Sequence, residues 1–579
     1  MVGDVRQSIR PGEGVWVSGA VEICSKYKHD QRTSTGSPPL PRGKNLRAIG
    51  RYCYNTKIVI LINSSSKNAL GIFQPFLPIS VPMGVGYIAA YLNEQGIKCD
   101  IVDEQVEHDP LQKIDELLVN SEKPYIFGFS VLTATFKNAL ELARELKKKY
   151  PQSLIVFGGV HPTAMPDEVL SYDFVDVVVK GEGETVIKEV YECLKTKRTI
   201  YHIDSISYRK DGKIVHNKPS GIIPDIDKLP PFPYHLFADN PEYDLGFVMS
   251  SRGCPYDCIF CSNRVTTKKG YRYRSTEKVV EDIALLHEKY GMSKVSFFDD
   301  NFLVNKDRIF RLTSEIKRRG LHKKIEFAFQ GRGDNTTEEL MKELHETGFT
   351  NVFFGIETAS NRLLKLVKKG ETIEEIVQAV EMSNRLGFHV SATFIFALPT
   401  ETHQDRMDSL KLSKELDIDM VRYNNATPYP GTELYQIALK ENRLNVQGLY
   451  DNFISVSTFI ENPFNKTPFT YVPEDNTEAE IRKDLLFSYL SFYFDFRKLK
   501  LIFLSPEKGP SWFDAHGGKI SKFIRKLPAL FILGAMLTIK YMDLFTSIML
   551  HYHTSIRRRD FFNIFRDFIL GFGPDRGRC

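Results

Sequence analysis

Three cysteines in one short run are the residues of this chain best suited to chemistry: Cys254, Cys258 and Cys261, within Arg252-Gly253-Cys254-Pro255-Tyr256-Asp257-Cys258-Ile259-Phe260-Cys261. Thiolates at the spacing Cys-x₃-Cys-x₂-Cys can grip a metal centre, yet they fall one short of the four that an iron–sulfur cube ordinarily takes from cysteine. One iron of such a cube stays open to bind something else, which makes it a site for chemistry and not only for electron storage. A structural zinc site is an alternative, but it needs a fourth ligand and usually shows a second Cys or His pair downstream. Here the next cysteine is Cys579 and the nearest downstream histidine is His287. A disulfide framework fits poorly too. The chain has 8 Cys in 579 residues, and Cys24, Cys53, Cys99, Cys193 and Cys579 are scattered, a usage that suits a reducing compartment such as the cytoplasm.

Two series of elements must position that loop. The first begins with Lys57-Ile58-Val59-Ile60-Leu61-Ile62, apolar throughout as in a strand buried on both faces. Further strands are expected at 98–103, 125–130, 154–159 and 175–179, with helices at 83–95, closed by Gly96, and at 137–150. Strands alternating with helices predict a doubly wound, Rossmann-like parallel sheet whose ligand lies at the carboxyl ends of the strands. Those ends carry Ser130-Val131-Leu132-Thr133, Gly158-Gly159-Val160-His161-Pro162-Thr163 and Lys180-Gly181-Glu182-Gly183-Glu184. Each alone reads as an ordinary strand-to-helix turn. Three on successive strands, rich in glycines that let backbone approach a ligand, point to a binding site. A hairpin turned at Asp211-Gly212 follows, then the linker 224–234 with Leu229-Pro230-Pro231-Phe232-Pro233, which suits a domain boundary.

The second series starts at Gly246. Strands are expected at 246–251, 294–298, 326–330, 351–356, 389–396 and 420–425. Thr336 with Glu339 and Thr372 with Glu375 have capping-box spacing, and Gly291, Gly320, Gly348 and Gly387 stand where helices should end. Six βα units are too few for a closed eight-fold barrel and enough for an open partial one. The cysteine loop follows its first strand, at the mouth where βα barrels place catalysis.

The expected organisation is a disordered extension at 1–51, a front domain at 52–200, hairpin and linker at 201–240, the partial barrel at 241–445 and a helical region at 446–579. Net charge is +5, and no Lys/Arg run alternates with aromatics, so nucleic acid is not an expected partner. No uncharged apolar stretch reaches the about 18 residues of a membrane span. The apolar segment 527–539 reads as part of a helical cap over the barrel. The sharper alternative is an interfacial helix pair beside Arg557-Arg558-Arg559, touching the inner membrane surface and an apolar substrate.

With the cysteine loop on the first strand of a six-unit βα barrel and a doubly wound domain ahead of it, residues 57–435 resemble the cobalamin-binding subgroup of the radical S-adenosylmethionine (SAM) superfamily. Further matches are Phe297-Phe298-Asp299-Asp300-Asn301-Phe302, Arg332, Gly355-Ile356-Glu357-Thr358, Leu398-Pro399-Thr400-Glu401-Thr402 and Pro428-Tyr429-Pro430-Gly431-Thr432. In front, Val81-Pro82-Met83-Gly84-Val85-Gly86-Tyr87 matches as well. Two departures stand out. Thr393 and Ala397 replace glycines usual in the fifth-strand motif, and the slot of the Asp-x-His-x-x-Gly cobalamin signature reads Asp103-Glu104-Gln105-Val106-Glu107-His108. Gln105 stands where a histidine would meet cobalt, so no histidine is expected to ligate it from below.

The resemblance implies that Cys254, Cys258 and Cys261 bind a [4Fe–4S] cluster whose open iron chelates SAM, and that reduction of SAM yields a 5′-deoxyadenosyl radical. Phe260, Asp300, Arg332 and Glu357 are the expected SAM contacts; for Arg332 an ion pair with Asp299, Asp300 or Asp334 is the plain alternative. Gln105, Ser130, Leu132, Thr133, Gly158, Gly159, His161, Gly181 and Glu182 are the expected cobalamin contacts. The implied activity is methylation of an unactivated carbon in a small-molecule or lipid substrate, with electrons from a flavodoxin- or ferredoxin-type donor. A radical cyclase or rearrangement enzyme is the runner-up, and a non-catalytic corrinoid sensor or carrier the reading from another class. A methylthiotransferase fits less well, because no additional three-cysteine domain is legible.

Overall fold

The computed structural model describes residues 59–65, 79–119, 121, 123–454 and 466–493, with 538, 539 and 542. The expected extension at 1–51 and most of the expected tail, 527–537 included, lie outside the described residues.

Strands β1 (Val59–Asn63), β2 (Cys99–Asp103), β3 (Ile126–Ser130), β4 (Leu154–Gly158) and β5 (Val177–Val179) form a parallel sheet in the order β2-β1-β3-β4-β5. Helices α1 (Met83–Glu94), α2 (Pro110–Leu118) and α3 (Phe136–Lys149) connect the first four strands, and α4 (Glu184–Lys195) follows β5. Along β1, Ile60 and Ile62 enter one core while Val59 and Leu61 enter another on the opposite face. That is why the strand is apolar at every position rather than alternating. Strand order reverses direction at β1, and the crevice this opens at the carboxyl ends is the natural ligand position.

The hairpin β6 (Ile206–Lys210) and β7 (Lys213–His216) turns at Asp211-Gly212, both with positive φ. It is not a separate module. Strand β6 pairs antiparallel with β5 and extends the front sheet to seven strands, so the front domain runs past residue 200. An unpaired β5 edge would expose its backbone donors and acceptors. The proline-rich linker is packed against its neighbours. Phe232 and Tyr234 are buried, and Phe232 meets Tyr87 of α1 edge-on at 5.4 Å between centroids. A Cβ on Gly86 would come within 2.3 Å of the Phe232 ring, so that glycine seats the linker. Val81, Met83, Tyr87 and Phe232 share one core with the barrel strands.

The barrel series is β8 (Phe247–Val248), β9 (Ser251–Arg252), β10 (Arg272–Tyr273), β11 (Lys294–Phe297), β12 (Glu326–Gly331), β13 (Phe349–Glu357), β14 (His389–Phe396) and β15 (Met420–Asn425). Strands β8, β11, β12, β13, β14 and β15 pair in parallel in chain order, with no pairing between β8 and β15 among the described residues. Strands β9 and β10 make a separate antiparallel ribbon. The single strand expected at 246–251 is thus divided. At Ser250 the backbone N–H leaves the ladder and donates to Asp299 Oδ1 at 2.8 Å.

Helices α5 (Thr276–Tyr290), α6 (Lys306–Arg318), α7 (Glu338–Glu346), α8 (Ile373–Leu386) and α9 (His403–Glu415) return the chain between strands. Thr372 and Glu375 form the expected capping box on α8. On α7 the cap is Thr337, not Thr336: Thr337 accepts from Leu340 N, while the Thr336 hydroxyl is spent on Gly333 O. Beyond the barrel, α10 (Glu478–Tyr493) covers the open edge at β15. The Tyr489 hydroxyl accepts from Tyr423 N at 3.0 Å, and the Tyr493 hydroxyl accepts from Val421 N at 3.1 Å and donates to Val421 O at 2.7 Å. Two tyrosines therefore satisfy an edge that would otherwise invite another strand. No helix among the described residues is long and apolar enough to cross a membrane.

Candidate functional site

The cysteine loop leaves β9 through Gly253, whose φ is +86° and whose Cβ would lie 2.0 Å from Gly270 O. Only glycine fits there. Ile259, fully buried, is pinned on both sides: its N–H donates to Val367 O at 3.0 Å and its carbonyl accepts from Leu434 N at 3.0 Å. Around this anchor Cys254, Cys258 and Cys261 are half-buried free thiols. Burial pushes all three thiols up, Cys261 to about 11. Lys369 and Arg332 oppose that rise at Cys258. Loading a metal centre must therefore expel protons from the loop. Among the described residues no three His, Cys, Asp or Glu side chains converge on a single-ion position. A soft, all-thiolate donor set suits an iron–sulfur cluster.

Beside the loop, Arg332 grips Asp334 through Nε (3.0 Å) and Nη2 (2.9 Å), and its guanidinium lies 3.5 Å from the ring centre of Tyr256 in the cysteine loop. The ion pair expected as the plain alternative is thus present, with Asp334 as partner. Glu357 Oε1 accepts from Lys369 at 3.0 Å, and Lys369 also faces Glu371 at 3.4 Å. A Cβ on Gly355 would lie 2.4 Å from Glu357 Oε1 and 3.0 Å from Lys369 Nζ, so the glycine of Gly355-Ile356-Glu357-Thr358 makes room for this buried pair. Asp300 accepts from Gly253 N at 3.0 Å, and burial raises its carboxyl. Phe260 is half-buried against the barrel core. Sequence reasoning missed Tyr256, Lys369 and Glu371. Nothing in the run Lys368-Lys369-Gly370-Glu371 marks one lysine as interior and its neighbour as exposed.

A cavity of about 490 Å³ opens between the strand ends of the front domain and the cysteine loop. From the front come Gly84, Ser130, Gly158, Gly159, Gly181 and Glu182; from the barrel come Met249, Arg252, Cys261, Asn263, Phe298 and Asp300. Gly159 has φ +101°, and a Cβ there would sit 2.7 Å from Val131 O. These glycines form a floor without side chains, which suits a large flat cofactor pressed onto backbone. Ala397 occupies a slot where glycine is usual, with φ +66°, a strained conformation for alanine.

Four expected cobalamin contacts do not line this cavity. Gln105 Nε2 donates to Asp103 Oδ2 at 3.2 Å, the oxygen that also accepts from the Tyr243 hydroxyl. Leu132 is exposed to solvent and Thr133 is buried in the turn after β3. His161 is carried away from the cavity because the turn at Gly159 directs it under the sheet. Its N–H donates to Val131 O, and its ring packs on Phe136 (4.3 Å between centroids) and Tyr450 (4.9 Å).

His161 has zero exposure and neither ring nitrogen has a hydrogen-bond partner; Glu168 stands 3.9 Å from Nε2. Burial lowers it from 6.5 to about 4. A base with a depressed folded value stays neutral in the folded state while the unfolded chain takes up a proton. Stability is then complete above about pH 6.5 and is lost as pH falls toward 4. The expected loss over that window is up to about 3 kcal/mol. His161→Phe keeps the ring packing and should flatten this acid limb; urea unfolding at pH 7.5, 6 and 4.5 measures it, and an unchanged slope would refute the assignment.

The family described as the Radical SAM superfamily matches residues 248–413, and the B12 binding domain family matches residues 74–191. A protein of Pyrococcus horikoshii named an uncharacterized methyltransferase is 32% identical over 479 residues, covering 81% of this chain and 98% of that protein. Among solved structures, the cobalamin-dependent SAM radical enzyme OxsB with aqua-cobalamin and SAM bound aligns with a TM-score of 0.61 at 18% identity, over 90% of this chain and 84% of that one. The radical SAM methyltransferase TsrM from Kitasatospora setae aligns with a TM-score of 0.57 at 18% identity, over 66% and 76%. At that identity the two structures establish a shared fold.

Proposed function

The chain belongs to the B12-binding radical SAM enzymes, and from that membership we propose that it is a methyltransferase acting on an unactivated carbon of a small-molecule or lipid substrate. The observation that carries this reading is the shared cavity: Cys261 and the glycine floor of the front sheet border one space. Chemistry at the cluster and a methyl group carried on cobalt would meet there without either leaving the protein. A [4Fe–4S] cluster, SAM and cobalamin are its cofactors. Cys254, Cys258 and Cys261 would hold the cluster; Phe260, Asp300, Arg332 and Glu357 would border SAM; Ser130, Gly158, Gly159 and Gly181 would border cobalamin. Bound together, these cofactors supply a low-potential electron, a reducible sulfonium and a methyl carrier.

The chain's own part is placement. The Arg332 guanidinium, fixed by Asp334 and the Tyr256 ring, presents a fork suited to a carboxylate. Lys369 holds the Glu357 carboxylate in one orientation. Met249 and Phe298 give the barrel side of the cavity an apolar surface. Reaction then depends on holding a substrate carbon near contact distance. Electrons would come from a flavodoxin- or ferredoxin-type donor. The test is anaerobic turnover of the reconstituted protein with methyl-labelled SAM and candidate substrates. Label in the product is expected. A ring-closed product without label would assign the cyclase reading instead, and failure to release 5′-deoxyadenosine would favour a corrinoid carrier.

A further inference from the structure

Arg252 and Arg272 stand directly opposite each other in the β9–β10 ribbon. Like charges in that position repel, and both side chains are largely removed from water, at 13% and 8% exposure. The ribbon closes because two carboxylates of the front domain enter it. Glu182 Oε1 accepts from Arg252 at 3.3 Å and Arg272 at 2.9 Å, and its Oε2 accepts from Arg272 at 2.8 Å and Ile223 N at 2.6 Å. Glu184 pairs with Arg252 at 2.7 Å. Two cations and two anions balance. The Arg252 guanidinium also lies 5.1 Å from the Tyr87 ring of α1. Glu182 is therefore already engaged by four protein hydrogen bonds, although sequence reasoning pointed it at cobalamin.

We propose that Glu182, supported by Glu184, is a positioning residue: it neutralises the opposed arginines and so fixes the start of the cysteine loop against the cavity wall of the front domain. Arg252 is two residues before Cys254, and Gly253 between them is locked against Gly270, so displacement of the ribbon displaces the first cysteine. The loop from Gly181 to Glu184 lines the same cavity, so this clamp also sets the separation between the two cofactor sites. The inference rests on the proposed function for what the loop holds; the charge balance does not.

The test uses the full chain as wild type, Glu182→Gln, Arg272→Gln and the double variant. Three quantities are read: hydroxocobalamin affinity by spectral titration, 5′-deoxyadenosine release from SAM after anaerobic reconstitution, and tryptic cutting at the exposed Arg264, Lys268 and Lys269 in cofactor-free protein. In Glu182→Gln, SAM cleavage should fall about tenfold and tryptic cutting should rise about tenfold, while hydroxocobalamin affinity stays within about twofold. The double variant, with Arg252 and Glu184 left balanced, should return both affected quantities to within about twofold of wild type. Weaker hydroxocobalamin binding with unaltered SAM cleavage and cutting would make Glu182 a cofactor ligand and overturn the clamp. So would a Glu182→Gln protein like wild type, or a double variant no better than the single. A wild type that cleaves no SAM defeats the functional reading alone, since tryptic cutting and its rescue still decide the clamp.

Discussion

Cys258→Ala protein, reconstituted without oxygen, is expected to carry less than about a tenth of the wild-type iron and to release no 5′-deoxyadenosine from SAM. The size of the effect follows from the ligand count. A centre held by three thiolates has no spare, and the remaining two cannot retain a cube whose fourth corner is exchangeable. Cys254→Ala and Cys261→Ala should behave alike. The loop itself should survive, because its hold on the barrel runs through Ile259 to Val367 and Leu434 and not through the sulfurs. Cys193→Ala is the control. Cys193 is buried in the front core, burial raises its thiol, and it shares no cluster with the loop. Iron counts and the electron paramagnetic resonance of the reduced centre measure the outcome. Normal iron in any of the three loop variants would remove the cluster from the account.

Much of this arrangement was legible in the residues, and the exceptions have physical reasons. Strand 389–396 was legible at its true bounds because a mostly apolar run directly after the helix stop Gly387 leaves little freedom. The division of 246–251 was not legible. It depends on Asp299, almost fifty residues away in sequence, capturing the Ser250 N–H. The hairpin was legible from Asp211-Gly212, but its docking onto β5 is a pairing choice between distant segments. In the candidate site, the three cysteines stand out in the sequence because ligation would constrain their spacing. The burial of His161 was not legible, since a Gly-Gly-x-His run looks the same whether the turn sends the imidazole into a cavity or under the sheet. The partners of Glu182, Arg252 and Arg272, were not legible for a related reason: they are remote in sequence. Lys369 left no periodic mark, because one buried lysine in a loop is visible only once its two carboxylates are in place.

That lysine carries the second large prediction. Burial alone would push the Lys369 ammonium down, but Glu357 and Glu371 outweigh it and the net shift is upward. Lys369→Met fills a similar volume and removes the charge, leaving two buried carboxylates without their shared cation. Removing one partner of a buried pair costs about 3–5 kcal/mol, because the orphaned charge stays in a poor solvent. Glu371 is already raised by burial, with Lys369 and Arg332 holding it down, so loss of Lys369 raises it further. An acid whose folded value lies above its unfolded one contributes stability at low pH that is lost as pH rises. The destabilisation of Lys369→Met should therefore be largest near pH 8 and shrink toward pH 5. Lys369→Arg, which keeps the cation, should lose far less. The same substitution releases Glu357 from the orientation that faces the cysteine loop, so SAM binding should weaken by about tenfold or more even where the variant is folded. Denaturant unfolding across pH and calorimetric titration of the reconstituted protein with SAM separate the two effects. If Lys369→Met matched wild type in both, the pair that Gly355 makes room for would be packing and nothing more.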